Sequence, residues 1–159
     1  MSGFAQSLAD LPNHQSGLLA VFLLYGLPLS WRSAGPPERA ALLTLTGIAA
    51  MDLLVLLYAN GSALLHLVAD GLALSWMLPV ALRANRFYPA VIAAALLVAV
   101  LAQLLNLLGL TRDAGSVTFL VNGLHLLAVL ALLGGSLVHR RIVAEGARRP
   151  AWRISLSQG

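Results

Sequence analysis

The sequence predicts an all-α fold: a polytopic membrane bundle of five transmembrane helices forming one integral-membrane domain over residues 1–159. Three observations predict it. Apolar residues make up 59% of the chain and charged residues only 10%, with a mean hydropathy of +0.85, whereas a soluble domain needs about a quarter charged residues to cover its surface. Several apolar runs come close to the ~20 residues that a helix needs to cross a bilayer. The basic residues, ten arginines and no lysine, flank those runs instead of forming a soluble basic face. The net charge of +4 therefore points to orientation and lipid phosphate, with no nucleic acid implied. With no cysteine in the chain, disulfides, thiolate metal sites and thiol catalysis are excluded.

Residues 1–16 are polar and turn-rich, with Asp10 and no Lys or Arg. That composition lacks the basic start of a secretory signal, so the first apolar run is expected to stay in the mature protein. This run, 17–31, is short and carries Pro28, with Trp31 and Arg32 as an interfacial anchor. Pro36 and Pro37 then stand where a helix begins, with Glu38 in its first turn, where the helix dipole favours an acid. The second span is read as 40–59, with Asp52 as its one charge. Asn60-Gly61 is a tight turn into the third span, 62–83, which contains Pro79 and ends at Arg83.

Phe87 and Tyr88 anchor the start of the fourth span, 89–110, with Pro89 in its first turn. Ala95, Ala99 and Ala102 share a stripe on it, and Ala131 and Gly135 form another small pair on the fifth span, 117–138. Small residues at such spacing let a second helix approach closely, here a membrane-protein partner or a second copy of the chain. The basic tail 139–159 follows. Its Arg148, Arg149 and Arg153 are candidates for binding anionic headgroups, at about 1 kcal/mol each.

Arginine placement sets the expected orientation. With the N-terminus outside and the C-terminus in the cytoplasm, nine of the ten arginines fall on the inner side and only Arg112 outside. That is the asymmetry of a multi-pass bacterial inner-membrane protein.

At about 1.5 Å per residue, the intramembrane polar groups form a band in the outer half. Asp52, His66, Asp70 and His125 are the candidate site; Gln103, Asn106 and Asn122 support it. His66 and Asp70 are spaced i, i+4, and Asn122 and His125 i, i+3, so each pair shares a helix face. Asn and Gln commonly serve as interhelical glue. A carboxylate facing lipid costs about 2.5–3.5 kcal/mol near mid-span, so the two aspartates face inward.

Three chemistries fit the set. One is a proton or cation site of two acids and two imidazoles. A second is a metal site with two His and two Asp ligands. The third is haem b with His66 and His125 as axial ligands. None of these cofactors is required by the pattern, and no hydrolase motif, phosphate-cradling loop or HExxH is present.

The run ALRANRFYPAVIAAALLVAVLAQLLNLLG (81–109) and the loop WRSAGPPER (31–39) resemble segments of small bacterial inner-membrane proteins of four to five spans. In that group an Arg-x-x-Arg-aromatic-aromatic-Pro turn joins two spans. The resemblance implies a membrane bundle and carries no activity. With little mass outside the bilayer and no catalytic motif, the chain reads first as a non-enzymatic accessory or scaffold subunit of a membrane assembly. A small proton- or cation-coupled transporter using the Asp/His band is the alternative, and a metal- or haem-binding membrane protein is the second alternative.

Overall fold

The computed structural model describes residues 35–58 and 62–144, and these form four α-helices. They are α1 (Pro36–Tyr58), α2 (Ala63–Arg83), α3 (Tyr88–Leu107) and α4 (Ala114–Ala144). Of these, α2, α3 and α4 up to Ile142 are long and apolar enough to cross a membrane. The second expected span corresponds to α1. The first, 17–31, the turn at Asn60-Gly61, and Arg148, Arg149 and Arg153 lie outside the described residues, so a bundle of five helices is not established.

Each helix contacts its neighbour in the chain, and α1 returns to touch α4. The ring order is therefore α1-α2-α3-α4, with α2 and α4 on a diagonal. One end of the bundle holds Glu38, Arg83 and Tyr88. The other holds the C-terminus of α1 and the N-terminus of α2.

Packing inside this ring relies on small residues. In lipid the apolar surface of a helix gains little by leaving its solvent, so association depends on close van der Waals contact. Ala73 and Ala81 of α2, Ala95 and Ala99 of α3 and Ala128 of α4 are all buried, between Leu45, Met77, Ile92, Leu96 and Leu132. The alanine stripe of α3 is thus occupied within the chain at Ala95 and Ala99, while Ala102 is only half-buried. The outward faces are apolar as well: Leu72, Trp76, Leu82, Phe119 and Leu137 are exposed, as suits contact with a bilayer.

Gly135 also packs inside the chain. A Cβ added there would lie within 2.9 Å of three ring carbons of Tyr88. Gly135→Ala gains up to about 1 kcal/mol of helix propensity but overpacks this contact, at a cost of about 1–3 kcal/mol. A lower melting temperature in detergent is the expected net result. Tyr88→Phe is expected to leave stability unchanged or raise it, because the buried hydroxyl has no hydrogen-bond partner among the described residues.

The helix that carries the second expected span begins at Pro36 instead of 40, and the fifth runs on to Ala144 instead of 138; two further ends differ from the expected limits for visible local reasons. The fourth span reaches Leu107 instead of 110 because Gly109, at φ 70°, ends it. The amide of Leu110 donates to Leu105 O at 2.9 Å and that of Gly109 to Asn106 O at 3.0 Å, the paired bonds of a left-handed glycine cap.

The fifth begins at Ala114 instead of 117 because Asp113 caps it. The Asp113 carboxylate accepts from the amides of Gly115 (3.0 Å) and Ser116 (2.9 Å) and from the Ser116 hydroxyl (2.5 Å). These bonds, the hydroxyl first, hold its carboxyl below the ordinary value of 3.8. A lowered folded-state pKa means that the cap's contribution is present above the ordinary value and is lost as pH falls through the folded one. The protection of the Gly115 and Ser116 amides, measured relative to their intrinsic exchange rates, should therefore fall on acidification. Asp113→Asn, which keeps a capping oxygen, should remove that dependence.

Candidate functional site

The polar band assembles from all four helices. Asp52 lies on α1, His66 and Asp70 one turn apart on α2, Gln103 on α3 and His125 on α4. The i, i+4 spacing places His66 and Asp70 on one face of α2, but the two side chains divide between different helices. His66 Nδ1 meets Asp52 Oδ1 at 2.7 Å, linking α2 to α1. Asp70 Oδ1 meets His125 Nε2 at 3.1 Å across the diagonal to α4, and Asp70 Oδ2 accepts from Gln103 Nε2 at 2.6 Å.

Exposure distinguishes the two pairs. The Asp52 and His66 side chains are 30% and 34% exposed, those of Asp70 and His125 only 2% and 8%. A carboxylate at the bundle centre, fixed through both oxygens, thus sits one helical turn from a more open carboxylate–imidazole pair.

The supporting residues divide as well. Gln103 belongs to the buried pair. Asn106 instead accepts from the Thr111 hydroxyl at 2.7 Å and bridges the cap that ends α3. Asn122 is half-buried, one turn from His125, and stays outside the hydrogen-bonded set.

Among the described residues no three His, Asp or Glu side chains converge as ligands for one metal ion. The expected two-His, two-Asp ligand set is divided into two pairs. For haem, His125 spends Nε2 on Asp70, the nitrogen an axial histidine ordinarily offers to iron.

A second polar cluster escaped the sequence reading. Glu38, in the first turn of α1, forms an ion pair with Arg86 in the α2–α3 connection, and their side chains are 1% and 14% exposed. Each had a sufficient local explanation, the helix dipole for Glu38 and orientation for Arg86, and 48 positions separate them. At the same end the Tyr88 and Ser136 hydroxyls are buried and have no hydrogen-bond partner among the described residues. The one available signal was chemical: an acid and a base close to opposite ends of spans that a hairpin brings back together.

The fold and its polar core define a helical membrane bundle with a buried carboxylate–imidazole–amide centre. No family model, curated protein or solved structure matches the chain.

Proposed function

We propose that this chain is a small proton-coupled carrier of the bacterial inner membrane, with Asp70 and His125 as its proton-binding centre and Asp52 and His66 as the exchange point with solvent. The observation that carries this reading is the Asp70 carboxylate, buried on the diagonal and held by one imidazole and one amide. An interhelical hydrogen bond in a membrane is worth roughly 0.6 kcal/mol, and asparagine would supply it without the cost of a carboxylate. What aspartate adds is a proton that comes and goes. Both Asp70 oxygens are already engaged, Oδ2 by the Gln103 amide and Oδ1 by the His125 ring nitrogen, which suits a proton as the bound cation better than a metal ion.

Infrared difference spectra of the reconstituted protein, recorded as the pH is lowered, test the reading. A protonated-carboxyl band that vanishes in Asp70→Asn is expected. The same band persisting in Asp70→Asn, or no titrating carboxyl in the intact protein, would refute it.

The arginine distribution supports five spans with the N-terminus outside, and with it the kinship to small bacterial inner-membrane bundles. Reporter fusions after Gly35 and Asn85 should report the cytoplasm and one after Arg112 the exterior. A cytoplasmic signal from the N-terminal tail would reduce the count to four spans.

The accessory-subunit reading also has an observation in its favour. Gly47, Ala69 and Ala73 line an open apolar groove of about 380 Å³ between α1 and α2, with Trp76 at its edge. Small residues in a lipid-facing groove suit the approach of another helix. A stoichiometric partner co-purifying in mild detergent would favour that role.

A further inference from the structure

The layer between the two polar ends of the bundle is dry. Leu42 and Leu45 of α1, Met77 of α2, Ile92 and Leu96 of α3 and Leu132 of α4 are each at most 2% exposed. Side chains packed at interior density leave no file of water between them. This packing closes the route from Asp70 towards the Glu38 end, while the more open Asp52–His66 pair lies one helical turn away on the other side. At the Glu38 end the Glu38–Arg86 ion pair ties the start of α1 to the α2–α3 connection.

We propose that the Glu38–Arg86 pair is a gate: a latch that closes its end of the bundle while Asp70 is open to the other, and that releases to expose Asp70 from the opposite side. The gate rests on the proton-carrier reading, because a carrier needs a second state.

Three features support it. A buried ion pair is about break-even against a hydrophobic seal in the closed state, so stability alone gives little reason for one. It differs in the open state, where each ion regains its hydration while an exposed apolar seal is penalised. The latch is thus a two-state element whose open form is tolerable.

A second feature is Pro79, inside α2 between Asp70 and Arg83. It has no N–H to give to the carbonyl of Ser75, so the helix lacks a rung there and is free to bend. That is where the latch end of α2 must swing relative to Asp70. Third, the Tyr88 and Ser136 hydroxyls at this end are buried and unpaired among the described residues. An unsatisfied buried polar group is costly, and hydration on opening relieves that cost.

The absence of cysteine from the chain makes the test direct, since one introduced thiol is the only target. Ser136→Cys in the full chain, reconstituted in vesicles, is labelled with a water-soluble maleimide. Slow labelling is expected with the latch intact. Adding Glu38→Gln should speed it by about tenfold or more, the effect of ~1.4 kcal/mol on the opening equilibrium. Arg86→Lys, which keeps the charge but loses the planar fork, should give a smaller change in the same direction and serves if Glu38→Gln does not fold.

Unchanged labelling in the folded variants overturns the gate. The Asp70 infrared band is read on the same samples. Latch-dependent labelling without that band sinks the proton carrier and retains the latch as a conformational device. The band with latch-independent labelling does the reverse.

Discussion

Glu38→Gln is expected to lower the stability of the folded chain by about 3–5 kcal/mol, as is Arg86→Met, because each leaves one buried charge uncompensated. The double variant Glu38→Leu/Arg86→Met is expected to recover most of that loss. With both ions gone there is no charge left to desolvate, and apolar groups of similar volume fill the space. Unfolding of the full chain in detergent, followed by circular dichroism, gives the three differences and hence the coupling energy of the pair. The Glu38 side chain is almost wholly buried and that of Arg86 largely so, so solvent screening removes little of the effect. Additive losses in the double variant would mean that the two side chains act separately, and neither the pair nor a gate built on it would survive. Recovery of stability with loss of transport would point to the open state as the place where the ions matter.

Asp70→Asn should separate stability from function. Asparagine has nearly the same volume and can still accept from His125 and donate to or accept from Gln103, but it does not titrate. The expected result is a melting temperature unchanged or raised, by about 1 kcal/mol, since a costly carboxylate has gone, together with complete loss of proton-coupled activity. His125→Leu provides the contrast. It leaves Asp70 buried with only the Gln103 amide, an uncompensated charge that costs about 3–5 kcal/mol if it stays ionised. In the Asp70→Asn background the same change should cost much less. A variant with Asp70→Asn that is as stable and as active as the parent would reduce the whole band to packing.

The all-α bundle, the three helices able to cross a membrane and the burial of Asp70 were legible along the chain, because each depends on local quantities. Hydropathy summed over about 20 residues is a property of the segment. The cost of a carboxylate in hydrocarbon applies wherever the bundle places it. The punctuation at Pro36, Pro37 and Pro89 acts on its own backbone. Even the displaced helix ends follow local rules, in the cap at Asp113 and the left-handed glycine at Gly109.

Pairing was another matter. His66 and Asp70 share a face, yet one turns to α1 and the other across the diagonal to α4. Helices apolar on nearly every side carry almost no periodic signal of which side faces a neighbour. Their rotation is set instead by where small residues allow close approach, as Gly135 does against Tyr88 and the buried alanines do around Met77. The Glu38–Arg86 pair depends on the same step, since its members meet only after the hairpin of α2 and α3 has folded back on the start of α1. Sequence alone determined which segments are helical and which of them are apolar enough to cross a membrane. Tertiary packing decided which of them meet, because in lipid the contact between helices is won by shape and not by hydrophobicity.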